Sequence, residues 1–407
     1  MTAPALPVRP YLDRTIAATF RERLGQFQVV VVTGIRQAGK TTLVRRLLPD
    51  WDYVTLEDLD QRRFADQDPR GFLAEHPGRT IIDEFQRVPA LTSYLQGAVD
   101  RTSNPGQYVL TGSQSYLLQS QVSQSLAGRV ALLVLLPFSP AEVPHGSARP
   151  GLDAVLFRGG FPAVVAWDLP PAAWYSSYVS TYVERDVRQV LAVRDLIQFQ
   201  TFLKLVAARV GQLLNLSSLA VDAAISVPTA RQWLSVLEAG HVIRRVAPWF
   251  ENAGKRLVKT PKLYFADTGL LCRLLGVESP SDLARHPQRG AVFENWVLTE
   301  ILKAWHHRGE DPPVWFWRDT EGHEVDFLVH RAGRLHPIEV KAGTTVQPDF
   351  FKGLRYLAAQ DAARGVAHGE SATDGVVVFA GDARQTRGGL SAVPWRELPV
   401  ALDRMRG

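Results

Sequence analysis

The sequence has 407 residues, 46% of them hydrophobic and 21% charged, ordinary globular usage that excludes a disordered, collagen-like or small disulfide-stapled chain. At about 150 residues per domain, two to four domains are expected. The single cysteine, Cys272, excludes an internal disulfide and a Cys-rich zinc site, and 46 basic against 41 acidic residues leave a net charge of +5, a mild lean toward a polyanionic partner. The longest apolar run, Val130 to Leu136, stops at Pro137, well short of the ~18 residues of a membrane span. No signal-peptide pattern opens the chain, so no membrane partner is expected and a cytoplasmic location is.

Basic residues are nearly all arginine. The first 203 residues hold a single lysine, Lys40, which suggests a place that wants a compact, rotatable point charge rather than a planar fork. Its context is V-V-V-V-T at Val29 to Thr33, then G-I-R-Q-A-G-K-T at Gly34 to Thr41, then T-L-V-R-R-L-L. Four valines in a row read as a strand buried on both faces of a parallel sheet. The glycine-and-lysine spacing lets a loop wrap its amides around phosphate oxygens at a helix N-terminus. Gly34, Gln37, Ala38, Gly39, Lys40, Thr41 and Thr42 are therefore candidate ATP-binding residues. Lys40 reaches the β- and γ-phosphates in this reading, and the Thr41 hydroxyl takes Mg²⁺.

Such a loop needs an acidic partner on a neighbouring strand. T-I-I-D-E-F at Thr80 to Phe85 supplies Asp83 as a metal-holding carboxylate and Glu84 to polarise the attacking water. Both lie at the C-terminal end of a strand, where open α/β sheets place ligands. A further strand, Tyr108 to Thr111, delivers Ser113 to the same edge as a γ-phosphate sensor. After one helix, Arg129 precedes the strand V-A-L-L-V-L-L, and it is the candidate finger that steadies transition-state charge on an adjoining subunit.

These runs resemble the AAA-type P-loop ATPases, in particular the prokaryotic group in which the ATPase module precedes a C-terminal domain of uncharacterised function. The residues that carry the resemblance are Gly34 to Thr41, Ile81 to Glu84, L-T-G-S at Leu110 to Ser113, A-G-R at Ala127 to Arg129, P-F-S at Pro137 to Ser139 and F-R-G-G-F-P at Phe157 to Pro162. The resemblance spans roughly residues 10–345 and implies a homo-oligomer, with a hexameric ring as the expected form. One departure is the G-G-F-P segment, which stands where many relatives carry a sensor arginine.

From about Gly151 to Leu196 the pattern is helical. Tyr175, Tyr178 and Tyr182 share one helix face and read as packing within a lid, and the run Glu184 to Arg188 reads as a solvated face. From Phe199 the chain looks like a winged helix. Two helices follow, the second starting near Ser217 or Ser218, and then a third from Pro228 to a Gly240 terminator. Two β-like runs joined by E-N-A-G-K complete a hairpin with a basic tip. In such a fold Thr229, Arg231 and Gln232 face base edges, while Arg244, Arg245, Lys255, Arg256 and Lys259 serve the phosphate backbone of duplex or branched DNA.

Beyond a polar stretch, A-V-F-E-N-W-V-L-T-E-I-L-K-A-W forms an amphipathic helix carrying Glu294. V-W-F-W-R, E-V-D-F-L-V and H-P-I-E-V-K follow as strands. Glu339 and Lys341, two apart, project from one strand face, and Asp326 points away from its apolar neighbours. Two carboxylates beside an ammonium make a hard-oxygen site for Mg²⁺ or Mn²⁺. Asp326 and Glu339 are the candidate metal ligands, and Lys341 orients a nucleophilic water. The set Glu294, Asp326, Glu339 and Lys341 resembles the PD-(D/E)xK, or restriction-endonuclease-like, nucleases. His306, His307, His323, His330 and His336 read as surface or packing residues. G-V-V-V-F-A completes the sheet, and the closing S-A-V-P-W-R-E-L-P-V is expected on the surface.

The expected architecture is α/β: a P-loop AAA-type ATPase over residues 1–150 with a helical lid over 151–197, a winged helix over 198–268 and a restriction-endonuclease-like domain over 269–407. The expected function is an ATP-dependent DNA-remodelling or translocating ATPase with a metal-dependent nuclease domain. The alternative is an ATP-switched regulator that binds DNA or protein through an inactive nuclease-like domain.

Overall fold

The computed structural model describes residues 10–102, 104–113, 126–144, 149–182, 196–249, 260–363 and 375–406. The four valines form the first strand, β1 (Val29–Thr33), in which no residue is exposed to solvent. Around it lie β2 (Asp52–Thr55), β3 (Thr80–Asp83), β4 (Tyr108–Thr111) and β5 (Val130–Val134), in the order β2-β3-β4-β1-β5, all parallel. A parallel sheet has both faces covered, and the alternation along β1 splits the packing. Val30 and Val32 face one apolar core, and Val29 and Val31 face another. Because the strands run the same way, Thr33, Asp83 and Thr111 all end at one edge.

Two short helices, Leu152–Arg158 and Pro162–Val165, and a longer one, Pro171–Tyr182, follow the sheet. Tyr175 and Tyr178 are buried as packing residues, stacked among Phe161 and Trp174. The Tyr175 hydroxyl also donates to the Asp267 carboxylate at 2.8 Å. The same carboxylate accepts the Gly160 amide at 2.7 Å. Gly159 sits at φ +66°, and a Cβ there would lie 2.1 Å from the Tyr175 hydroxyl, so this turn admits only glycine. The run Glu184 to Arg188 lies outside the described residues.

Three helices come next: Leu196–Ala207, Leu216–Asp222 and Val227–Ala239. The second is capped by Asn215, whose side chain accepts the Ser218 amide, rather than by a serine. The third starts at Ser226, which accepts the Thr229 amide, with Pro228 in its first turn. Gly240 ends it without taking a left-handed conformation (φ −81°). That position falls on His241, at φ +54°. An antiparallel pair, β6 (Ile243–Val246) and β7 (Lys262–Phe265), completes this part. The basic tip with Lys255, Arg256 and Lys259 lies outside the described residues.

The helix Arg289–His306 runs through the interior, burying Asn295, Glu300 and Lys303 along with its apolar residues. Asn295 bridges β7, accepting the Phe265 amide at 2.6 Å and donating to the Phe265 carbonyl at 2.8 Å. Strands β8 (Val314–Arg318), β9 (Glu324–Arg331), β10 (Arg334–Lys341), β11 (Val376–Phe379), β12 (Gln385–Arg387) and β13 (Leu390–Pro394) form a mixed sheet in the order β12-β13-β11-β10-β9-β8. The closing segment is not on the surface. It is an inner strand of that sheet, with Ala392, Val393, Trp395 and Leu398 buried. Its alternation is broken by prolines, so only the partner strands β11 and β12 reveal it.

One apolar core runs without a break from Ile16 and the β1 valines through Phe199 and Trp233 to Trp305 and Met405. The modules therefore share packing rather than stand apart. Arg14 ties that core to the sheet edge. Its guanidinium donates to the Ala38 carbonyl at 3.0 Å, to the Leu136 carbonyl at 2.6 Å and to Glu142 at 3.2 Å. It also lies over the Phe138 ring. Burial pushes the Glu142 carboxyl up, but Arg14, His307 and the amides of Ser139 and Thr15 outweigh it and leave the value below the usual 4.5. A lowered folded-state value means a stabilisation complete above about pH 4.5 and lost as pH falls through the folded value. Glu142→Gln is accordingly expected to cost about 3–5 kcal/mol at pH 7. Urea unfolding should show the gap between wild type and variant narrowing below pH 4.

Candidate active sites

The phosphate loop is shaped by backbone before any side chain acts. Gly34 has φ +138°, and a Cβ there would lie 2.0 Å from the Leu135 carbonyl oxygen. Gln37 (φ +63°) and Gly39 (φ +94°) also take left-handed conformations, turning the chain into the helix Lys40–Leu47, whose N-terminus has no side-chain cap. Its first-turn amides face the space that phosphate oxygens fill in such loops. Ala38 is buried, while Thr42 is exposed on the first turn. The Lys40 ammonium donates to the carbonyls of Gly34 and Ile35, each at 3.0 Å.

Asp83 is the hub of the sheet edge. It accepts from the Thr41 hydroxyl at 3.0 and 3.1 Å, from Tyr53 at 2.9 Å and from Thr111. Burial and the facing carboxylate push the Tyr53 hydroxyl up to about 12, so it stays a donor. One carboxylate with a hydroxyl beside it is a hard-oxygen set that fits Mg²⁺. Thr41 and Asp83 would hold the ion, whose chemistry is to neutralise charge between the phosphates. Glu84 follows at φ +55° and accepts from Gln86 at 2.5 Å. Ser113 is buried just beyond β4; of that strand's hydroxyls it is Thr111 that reaches Asp83. Arg129 is not at this edge. It lies at the N-terminal end of β5, beside Val29, and its guanidinium pairs with both Asp100 oxygens, at 2.5 and 3.0 Å.

A second polar cluster lies between the central helix, β7, β9 and β10. The Glu339 carboxylate is buried. One oxygen meets Lys341 at 2.5 Å, and the other, Oε2, has no hydrogen-bond partner among the described residues. Burial, then Asp326, pushes Glu339 up to about 8. Asp326 accepts the Val340 amide at 2.7 Å and is also raised by burial. Glu294 accepts from Tyr264 at 2.6 Å and Lys262 at 3.2 Å, and burial with Asp326 raises it to about 7. Lys262, almost fully buried, also meets Glu324 at 2.5 Å. Burial opposes its charge, but Glu294, Asp326 and Glu324 outweigh it and hold the ammonium protonated.

The Glu339 oxygen left without a described partner and the Asp326 carboxylate are hard-oxygen donors that would suit Mg²⁺ or Mn²⁺, with Asp326 and Glu339 as the holders. Glu294 feels the Asp326 charge, but Glu294, Asp326 and Glu339 do not all bring ligand atoms within 4.8 Å of one another. Among the described residues, three ligand atoms from different side chains come within 4.8 Å of one another only at Asp319, Glu321 and His323, in the turn between β8 and β9. His323 thus pairs with Asp319 at 2.9 Å and stacks on Tyr356, while His306 is buried and the half-buried His307 faces Glu142 at 3.7 Å.

On the third helix of the middle part, Arg231 and Gln232 are exposed, opposite the buried Ala230, Trp233 and Leu234. Thr229 instead closes the helix start through Ser226. Arg245 is held by Glu238 at 2.8 Å, and Arg244 is exposed.

The AAA domain family matches residues 26–143, and two domains of unknown function, DUF8612 and DUF4143, match residues 149–281 and 289–398. The uncharacterized proteins Rv2008c of Mycobacterium tuberculosis and Mb2031c of Mycobacterium bovis are each 35% identical over 347 residues, 84% of this chain and 76% of theirs. The chain belongs to their family. An uncharacterized protein of Haemophilus influenzae is 25% identical over 357 residues, 79% of this chain and 85% of its own. Among solved structures, the Walker-type ATPase paby2304 of Pyrococcus abyssi shares 17% identity at a TM-score of 0.46, over 65% of this chain and 96% of that one. A variant of Thermotoga maritima RuvB shares 18% at 0.30, over 57% and 86%. Neither is close enough to fix the arrangement of modules.

With an AAA domain and this sheet edge, the protein is an ATPase. No helix among its described residues is long and apolar enough to cross a membrane. Sequence reasoning passed over Arg14, Tyr53, Thr111, His241, Lys262, Tyr264 and Glu324. Only Lys262 carried a signal, as a lysine within an apolar strand of an arginine-rich chain. Replacing it by methionine leaves Glu294 and Glu324 facing each other, and unfolding in urea should register a loss of about 3 kcal/mol or more. Adding Glu294→Gln should recover part of that loss, because the two side chains act as a pair.

Proposed function

We propose that the protein is an ATP-driven DNA-remodelling or translocating machine, in which a winged helix over residues 198–268 grips duplex or branched DNA and a restriction-endonuclease-like domain over 269–407 carries a metal site. The observation that carries this reading is the convergence on adjacent strands of Asp326, Glu339 and Lys341, with a buried Glu339 oxygen that nothing in the described chain satisfies. In this reading Asp326 and Glu339 hold Mg²⁺ or Mn²⁺, whose chemistry is to activate water. Lys341 orients that water, and Glu294 steadies the approach from the helix. The exposed Arg231 and Gln232 on the third helix supply the base-facing contacts, and Arg244 and Arg245, with Lys255, Arg256 and Lys259 beyond the described residues, the phosphate contacts.

At the ATP site, Lys40 draws off charge from the β- and γ-phosphates, Glu84 polarises water and Ser113 senses the γ-phosphate. Arg129 stands at the opposite edge of the sheet, paired with Asp100, so it serves only a neighbouring subunit. A homo-oligomeric ring, hexameric by analogy, is part of the proposal.

A second reading, an ATP-switched regulator with an inactive nuclease-like domain, is favoured by one observation. Lys262 already brings a cation into the carboxylate cluster.

Lys40→Ala is expected to reduce ATP turnover to background and Glu84→Gln to retain bound ATP. Turnover measured with single-stranded, duplex, forked and four-way DNA should rise on at least one of them; a flat response removes DNA as the partner. Cleavage with Mg²⁺ or Mn²⁺ that disappears in Asp326→Ala and Lys341→Ala supports the nuclease, whereas uncut DNA in every form supports the switch. Light scattering that finds a monomer in every nucleotide state would remove Arg129 from catalysis.

A further inference from the structure

The corner between the third helix of the middle part and β6 presses on the phosphate-loop strand. There the His241 imidazole Nε2 lies 3.5 Å from the hydroxyl of Thr33, the last residue of β1 and the one before Gly34. Its backbone is left-handed although Gly240, immediately before it, is not. A strain of order 1 kcal/mol is thus borne by a side chain where the neighbouring glycine would carry it at no steric cost. That corner sets an imidazole directly against the end of the strand that feeds the phosphate loop.

Two cations face His241, Lys40 from the phosphate loop and Arg244 from β6. His306 of the central helix also faces it, but burial lowers His306 to about 3 and leaves it neutral. Burial first, then Lys40 and Arg244, lowers His241 to about 4, so it stands neutral at physiological pH. Beside it lies a cavity of about 330 Å³ lined by Leu136, Glu238, Arg244, Leu302 and His306.

We propose that His241 is a positioning residue of the ATP site, through which the middle part of the chain sets the conformation of the phosphate loop. It touches Thr33, not the nucleotide, and it holds the point from which the Gly34 turn departs. The proposal rests on ATP binding at Gly34 to Thr41. When triphosphate draws Lys40 away from the Gly34 and Ile35 carbonyls, the loop entry and the His241 corner adjust together.

Hydrogen exchange on the wild-type protein with and without Mg·ATPγS tests this directly. Slower exchange is expected at residues 240–246 as well as at the phosphate loop. Protection at the loop with none at the corner overturns the proposal. Protection at neither place is a failure of the ATP site itself. Kinetics give a second reading. His241→Ala should raise KM for ATP about tenfold, as expected for the loss of one hydrogen-bonded contact on a binding loop, with kcat changed less than threefold. His241→Gln, whose amide can either donate or accept at a similar reach, should restore most of it. Equal KM values in wild type and His241→Ala, with only a lowered melting temperature, would mean a purely structural histidine. A Gln variant as impaired as the Ala variant would also overturn the proposal.

Discussion

Everything in this molecule depends on a strand that water never reaches. Val29 to Thr33 is buried on both faces because its alternate side chains belong to two different cores. Its C-terminal end therefore has a fixed position, and the loop that leaves it is braced from several sides. Leu135 closes on Gly34, Arg14 holds the Ala38 carbonyl, Pro162 lies against Gly39 and His241 meets Thr33. A loop held this way offers its amides in place, without the cost of ordering them when phosphate arrives. Asp83 receives the same treatment from Thr41, Tyr53 and Thr111, three hydroxyls from three elements.

The carboxylate cluster obeys a different balance. Removing an ion from water costs several kcal/mol, which a partner offsets only with good geometry. Glu294 and Glu324 have that partner in Lys262. Glu339 has Lys341 on one oxygen and, among the described residues, no partner on the other, and burial, then Asp326, raises its carboxyl. The cluster thus has a satisfied half and an unsatisfied half, and the unsatisfied half is where a divalent cation fits.

Both sites touch the same hairpin. β6 begins just after the His241 corner, and β7, paired with it, carries Lys262 and Tyr264 into the carboxylate cluster, Val246 lying opposite Lys262 in the register. One antiparallel pair thus adjoins both places. A single apolar core likewise runs from Ile16 to Met405.

What could be read along the chain was whatever depends on neighbours in sequence. The valine strand, the glycine spacing of the loop, the Ile-Ile-Asp-Glu strand end and the Glu-x-Lys pair with its two-residue period all declare themselves locally, because loop shape and strand alternation are local properties. The lone Lys40 of the first 203 residues did as well. Residues that act by meeting a partner far along the chain did not. Arg14 with Glu142, Tyr53 with Asp83, His241 with Thr33 and Lys262 with Glu294 are ordinary side chains until packing brings them together. The strand at Leu390–Pro394 looked like surface because its prolines hide the alternation, and only its buried place between β11 and β12 makes it a strand. Sequence determined which groups are candidates for the chemistry; tertiary structure decided which of them are partnered, because burial and long-range contact set the energy of a charge and neither is written in local order.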